Sequence, residues 1–490
     1  MRRSGTSLGL AAALLLAAAG LHASADQPAT APDEQWFVIR MSGSNVGTAA
    51  ERWSRTASEN VFQAQMNLSF TRLGTPLRMT IFTEEVTDPS GAFVRARMES
   101  SVSNLSAVAE LRGDSVYYET SAGGSTRRRT LAWKPEAVTE AVSRERVAGW
   151  LGGAAPETTI TLFDVSEGDF RAQRLVRRDR ITLPIGTTER DVIQVDEYDE
   201  DARTPSSSTW YSATGSHEPE RTLVSQLGVE IEIIRVSAAE LEATEIEPSF
   251  DIIKRSMVPC PGFPVPASRM ESITLVLEFP GTPPPESMTG PNQIEMARDA
   301  HSVTLRLTRT PAGSFTLPPD EQGVFLRADR FIQSDAKEIT AVADSLKAAT
   351  RSDPWVLARA CAAWVDGHIT KKGMEHGYAS AVDVYRSRAG DCTEHSLLTT
   401  AVLRAAGIPA RPAVGLAFSE PEKAFVGHMW VEAYVNGWKT LDALNLGLDP
   451  IRIRVYAPDS SESLGERDLM RAYAVLAGVK VRAIDHQSRK

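Results

Sequence analysis

The sequence predicts an α+β protein: a long antiparallel β-rich region, then a smaller core in which a helix bearing a cysteine packs on an antiparallel sheet bearing a histidine and an aspartate. Three observations predict it. Between Gln35 and Val236, apolar and polar residues alternate between turn signals, as half-buried antiparallel strands require. From Asp335 onward, apolar residues recur at i, i+3 and i+4, the period of helices that face a core. Near residue 390 a capped helix start precedes strand-like runs joined by Asn436-Gly437, a hairpin signal.

Bulk properties narrow the function classes. The chain has 490 residues, enough for more than one domain at roughly 150 residues each. Apolar residues make up 42% and charged residues 24%, which excludes a disordered chain, a collagen-like fibre and a polytopic membrane protein. A net charge of −10 repels phosphate backbones and anionic lipid heads, so neither nucleic acid nor a membrane is expected as the main partner. The one basic run, Arg127-Arg128-Arg129, reads as a solvated turn or strand edge.

Residues 1–25 read as a secretory signal peptide. Arg2 and Arg3 precede the apolar run Leu8–Leu21, and Ala23-Ser24-Ala25 fits the small-x-small cleavage rule. The run is shorter than the ~20 residues that span a bilayer, so the expectation is an exported protein, periplasmic or extracellular, with no stable membrane insertion. In an oxidising compartment three cysteines leave at least one thiol without a partner inside the chain. Cys361 reads as a small core residue of a helix, and a Cys260–Cys361 bridge stays open at this level.

Residues 26–255 form the β-rich region, with strands such as Val61–Met66, Phe93–Met98 and Val229–Ile234 and a short helix over Pro135–Leu151. It holds no catalytic constellation and reads as a scaffold or binding module. Residues 256–335 form a linker with a small β region. Eight prolines between 259 and 285 break the chain there, and Ile273–Phe279 and Val303–Leu307 read as strands. Residues 336–490 are the core, with helices over Asp335–Thr350 and Pro354–Ile369 leading into it.

Chemistry concentrates in Gly390-Asp391-Cys392-Thr393-Glu394-His395. Gly390 permits a tight turn, Asp391 reads as an N-cap, and Glu394 three residues on completes a capping box. Gly407 and Pro409 end the helix, and Leu397, Leu398, Ala401, Val402 and Ala405 form its buried stripe. Cys392 then opens the helix, where free N–H groups and the helix dipole favour a negative sulfur and can hold an oxyanion. A thiolate nucleophile needs an imidazole and a group that orients it. Downstream come the strand Arg411–Phe418, the run from His428 through Trp430 and Glu432 to Val435, and Trp438–Leu444 with Asp442.

With these pieces in view, the chain resembles the bacterial transglutaminase-like family, a branch of the papain-like cysteine enzymes. The matching segments are Gly390–His395, Ala406–Arg411, His428-x-Trp430-x-Glu432-x-Tyr434 and Leu441-Asp442-Ala443, with Ala379–Val384 as the approach to the cysteine. The likeness spans roughly residues 336–486, under a third of the chain, and includes an expected Glu466–Ala477 helix and Val479–Ile484 strand as the end of the same core. It implies Cys392 as nucleophile, His428 as general base and acid, and Asp442 as the residue that orients His428. Asp391, Glu394 and Trp430 read as supporting residues, Trp430 as a cover over the imidazole.

Strand parity qualifies this assignment. A two-residue Asn436-Gly437 loop would pair Val435 with Trp438, His428 with Asn445 and Val431 with Asp442, putting Asp442 on the face away from His428. An odd-length loop or a β-bulge between Gly437 and Asp442 is therefore expected; a regular hairpin would make Asn445 the orienting residue. His395 reads as a locally bonded helix residue, and a metal site from Cys392, His395 and His376 or His428 has poor ligand spacing.

The expected activity is acyl transfer at the amide bonds of peptide, protein or cell-wall substrates through a thioester, passed to an amine or to water, with no cofactor. The alternative is a non-catalytic periplasmic ligand-binding or assembly protein that keeps the fold.

Overall fold

The computed structural model describes residues 33–488 apart from 73, 102–103, 123–124, 187, 200–204, 227–228, 265, 281–282, 310–315, 351–352, 374–377, 445–450 and 459–477. The expected signal peptide, His376, Asn445 and the Glu466–Ala477 helix lie outside the described residues. No helix among the described residues is long and apolar enough to cross a membrane.

The alternating N-terminal runs build a fifteen-stranded sheet. Its order follows from connectivity. The first strand, Asp33–Met41, pairs with the last, Val229–Val236, in the middle of the sheet. On either side of that pair successive hairpins run outward, to Ser125–Ala132 at one edge and to Glu157–Asp164 on the other side, where Ala137–Val138 adds in parallel as the last strand. Only four residues join those edges, a reach of roughly 17 Å, so the sheet must curl back on itself. Met98 and Tyr118 accordingly share a core with Phe163 and Val165, and the Tyr118 hydroxyl donates to the Ser166 carbonyl at 3.0 Å. The basic run Arg127–Arg129 sits on the Ser125–Ala132 edge strand, where Arg128 pairs with Glu119 and Arg127 with Asp335.

The helix expected over Pro135–Leu151 begins later, at Glu140. Ala137 and Val138 are taken up in parallel pairing with Thr161 and Leu162, which leaves the helix to start after Thr139. Its first N–H groups, on Glu140 and Ala141, donate to the Glu85 carboxylate at 3.3 and 2.8 Å. One turn further in, Arg144 makes a buried bidentate pair with Glu51 at 2.6 and 2.7 Å.

Burial dominates the interior carboxyls. It pushes Glu51 up to about 7 and Glu140 up to about 8, and raises Glu85 and Glu197 as well. Because these values lie above the ordinary 4.5, the folded chain binds more protons than the unfolded one. Their contribution is fully present below about pH 4.5 and is lost as pH rises to about 8. Urea unfolding of the full chain is expected to show lower stability at pH 8.5 than at pH 5.5, and Glu140→Gln should flatten that slope.

The C-terminal half holds two smaller sheets. In the five-stranded one, Val258–Pro259, Ala424–Tyr434, Ala410–Ser419 and Arg452–Tyr456 are neighbours in that order, and Trp438–Leu441 also pairs with Ala424–Tyr434. The helices Lys337–Ala349, Pro354–His368, Ala381–Ser387 and Cys392–Ala405 share a core with Val414, Met429, Val431 and Ala433 of this sheet. The second sheet joins Gln293–Arg298, Ser302–Thr308, Met270–Glu278 and Lys480–Ser488. The C-terminal strand pairs with Met270–Glu278, in a sheet separate from the one that carries His428. The proline-rich region is thereby stitched to the end of the chain, and its apolar strands pack with Leu416, Phe425 and Ile453.

Candidate active site

The turn before the cysteine is set by close packing. A Cβ on Gly390 would lie 2.2 Å from the Glu394 Cβ, so no larger residue fits without moving the helix. Asp391 is extended, and its Oδ1 accepts from the Thr393 N–H at 2.8 Å. Glu394 reaches back to accept the Asp391 N–H at 2.9 Å, closing the capping box read from the sequence. Its other oxygen accepts from the Ala379 N–H at 3.1 Å, tying down the approach segment. Burial, then the neighbouring Asp391, push the Glu394 carboxyl up to about 8. The helix runs Cys392–Ala405 and is buried on all sides from Thr393 to Arg404, well beyond the expected stripe. Cys392 at its start is only half-buried.

His428 lies within the Ala424–Tyr434 strand, opposite Gly415 of Ala410–Ser419. A Cβ on Gly415 would sit 1.8 Å from the Ile453 carbonyl oxygen and 3.0 Å from the Trp430 ring. That glycine therefore makes the room in which Trp430 packs, 6.1 Å from the His428 ring and roughly parallel to it.

The hairpin that follows takes the first of the two expected forms, an odd loop rather than a β-bulge. Tyr434 pairs with Trp438 and Val431 with Leu441, leaving the three residues 435–437 as the loop. Asn436 takes the left-handed conformation with φ 54°. Continuing this register by one residue sets Asp442 opposite Trp430, on the face that bears His428. The His428 Nε2 donates to Asp442 Oδ2 at 2.8 Å. Asn445, the alternative orienting residue, lies outside the described residues.

Sequence reasoning missed Arg452. Its Nε and Nη2 both donate to Asp442 Oδ2, at 3.0 and 2.7 Å, while the Leu444 N–H donates to Oδ1 at 3.1 Å. Two residues along the same strand, Arg454 pairs with the fully buried Glu432, which also holds Arg411. The signal that could have found it is the alternation Arg452-x-Arg454, which aims two cations at one sheet face.

These contacts set the charges. Burial works against a charged imidazole, but the Asp442 carboxylate and then Cys392 outweigh it, and His428 is pushed up to about 10. Asp442 goes the other way: burial alone would raise it, yet His428 and Arg452 hold it well below the usual carboxylate range. A buried carboxylate that loses one of two cations is under-compensated. Arg452→Met is expected to cost about 3 kcal/mol of stability, read as a lower midpoint in urea.

The remaining candidates fall into structural places. His395 is buried, with Nδ1 at 2.6 Å from the Asp391 carbonyl, and burial lowers its basicity. Cys361 is a core residue of the Pro354–His368 helix. Cys260 belongs to a different core, so the two thiols do not pair; all three cysteines are free.

Residues 340–443 match the sequence pattern of the transglutaminase-like superfamily. No curated protein matches the sequence. Among solved structures, a β-barrel-like protein of a domain of unknown function from Brucella abortus is similar at 14% identity, over 43% of this chain and 98% of that one, with a TM-score of 0.33. A proposed cysteine protease from Cytophaga hutchinsonii shares 18% identity over 45% of this chain and 86% of its own, at a TM-score of 0.25. The periplasmic domain of TgpA from Pseudomonas aeruginosa shares 17% identity over 39% and 87%, at 0.28. Cys392, His428 and Asp442 all fall inside the matched segment, and the chain thus carries a domain of the transglutaminase-like superfamily at residues 340–443.

Proposed function

We propose that this protein is an exported cysteine enzyme that acts on amide bonds of peptides, proteins or cell-wall material through a thioester on Cys392. The observation that carries the reading is the hydrogen bond of 2.8 Å between His428 Nε2 and Asp442. It leaves the other ring nitrogen for the thiol, whose interaction helps to hold the ring's proton. Cys392 attacks the carbonyl, and His428 gives its proton to the departing amine as the C–N bond breaks. The thioester then passes to water, giving hydrolysis or deamidation, or to an amine, giving a cross-link; His428 takes the proton of the incoming nucleophile. Asp442 holds the ring in place and stabilises its charge. The half-open position of Cys392 at a helix start supports this assignment, because N–H groups are placed there to bind an oxyanion.

Incubation of the full chain with a peptide library, followed by mass spectrometry of the Cys392 peptide, is the test. Acyl adducts on Cys392 that are absent from Cys392→Ala are the expected result. A library that leaves Cys392 unmodified while Cys392→Ala keeps every phenotype of the protein would favour the non-catalytic reading. Export is tested separately: the secreted protein should begin at Asp26.

A further inference from the structure

The large N-terminal sheet reaches the thiol site. At the end of its Asn60–Arg72 strand, Arg72 Nη2 donates to Asp391 Oδ2 at 2.8 Å, across 319 residues of sequence. Both side chains are largely buried, at 14% and 7% exposure. Asp391 divides its two oxygens: Oδ1 caps the Cys392 helix through Thr393 N–H, and Oδ2 takes the guanidinium.

The hairpin end that supplies Arg72 is anchored on its other side too. Thr71 N–H donates to the Phe250 carbonyl at 2.7 Å, and Gly74 N–H to Asp251 Oδ2 at 2.8 Å. Asp251 is the N-cap of the short helix Ile252–Ser256, which packs on both the Asn60–Arg72 strand and the strand that carries His428. One hairpin tip is therefore tied to the helix of the thiol and to the strand of the imidazole.

We propose that Arg72 is a positioning residue of the thiol site, supplied by the N-terminal sheet, which fixes Asp391 in its capping geometry and cancels its charge beside Cys392. The proposal rests on the reading of Cys392 as the nucleophile.

The charges around the sulfur show why this matters. The imidazole is held with Asp442 and Arg452. A second group, at the start of the cysteine's own helix, comprises Asp391, Glu394 and His395, with Lys372 and Asp366 near His395. Arg72 is the cation bonded to Asp391 in that second group. Without it, a largely buried carboxylate would stand uncompensated one residue from the thiol and oppose a negative sulfur. The sheet is then part of the site and not an appended module.

The test uses the full chain and iodoacetamide, with the rate of Cys392 alkylation followed by mass spectrometry at neutral pH. Arg72→Met is expected to slow it about fivefold. Arg72→Lys should recover most of the rate. The double variant Arg72→Met with Asp391→Asn should recover it too, since asparagine still caps a helix but carries no charge. If Arg72→Met reacts at the wild-type rate, or the double variant stays as slow as Arg72→Met alone, the proposal is overturned. Should Arg72→Met not fold, Asp391→Asn alone decides: it is expected to speed alkylation, and an unchanged rate overturns the proposal. The wild-type rate against that of the urea-unfolded chain tests the nucleophile reading by itself, independently of Arg72.

Discussion

His428→Ala is expected to slow alkylation of Cys392 by about a hundredfold at pH 6, the scale of a lost acid–base partner. The ring's value, pushed up to about 10 by Asp442 and Cys392 against the effect of burial, sets the pH dependence. Because it lies above the ordinary 6.5, the charged imidazole that favours the thiolate persists through neutral pH and is lost as pH rises through about 10. Above that value the sulfur is a thiolate with or without it, so the difference from His428→Ala should close there. The wild-type chain should therefore show a plateau across neutral pH. His428→Ala should show none, its rate climbing with pH as for a simple thiol. Asp442→Asn removes the strongest support of the ring's charge, so its rate advantage over His428→Ala should close at lower pH than that of the wild type. A His428→Ala chain that reacts at the wild-type rate at pH 6 would remove the pair from the mechanism.

Gly415→Ala is expected to destabilise the protein by about 3 kcal/mol, the upper range for forcing atoms into a packed core. The atom that the new methyl meets is the backbone oxygen of Ile453 at 1.8 Å, with the Trp430 ring at 3.0 Å behind it. A backbone strand cannot turn aside as a flexible side chain can. Two residues earlier, Ala413 already packs its methyl against Trp430, so the intolerance belongs to this position and not to the strand. Moving Ile453 also moves Arg452 next to it and loosens Asp442, so Cys392 reactivity should fall together with the urea midpoint. Wild-type stability in Gly415→Ala would refute the packing argument.

What was legible in the sequence is what short-range chemistry dictates. Asp391 and Glu394 form their capping box because the groups involved lie within one turn of each other. Parity limited the hairpin to an odd loop or a bulge if Asp442 was to share the face of His428, and the structure takes the odd loop. Even so, the helix after Cys392 departs from a simple amphipathic pattern. Thr399, Thr400 and Arg404 are buried with the apolar stripe, because helices and sheet enclose it on all sides. Arg404 is accommodated by donating to the carbonyls of Ala410 and Arg327.

The amino-acid order alone determined the alternating strands of the first half, the capped cysteine and the hairpin that aligns histidine with aspartate, since each depends on periodicity or on neighbours a few residues away. Only the tertiary structure decided that the first and last strands of the fifteen-stranded sheet pair in its middle, that Lys480–Ser488 pairs with Met270–Glu278, and that Arg452 and Arg72 stand at the two carboxylates of the site. Those contacts join residues separated by up to hundreds of positions. No local pattern encodes them, because a buried carboxylate specifies the charge of its partner and not where in the chain that partner lies.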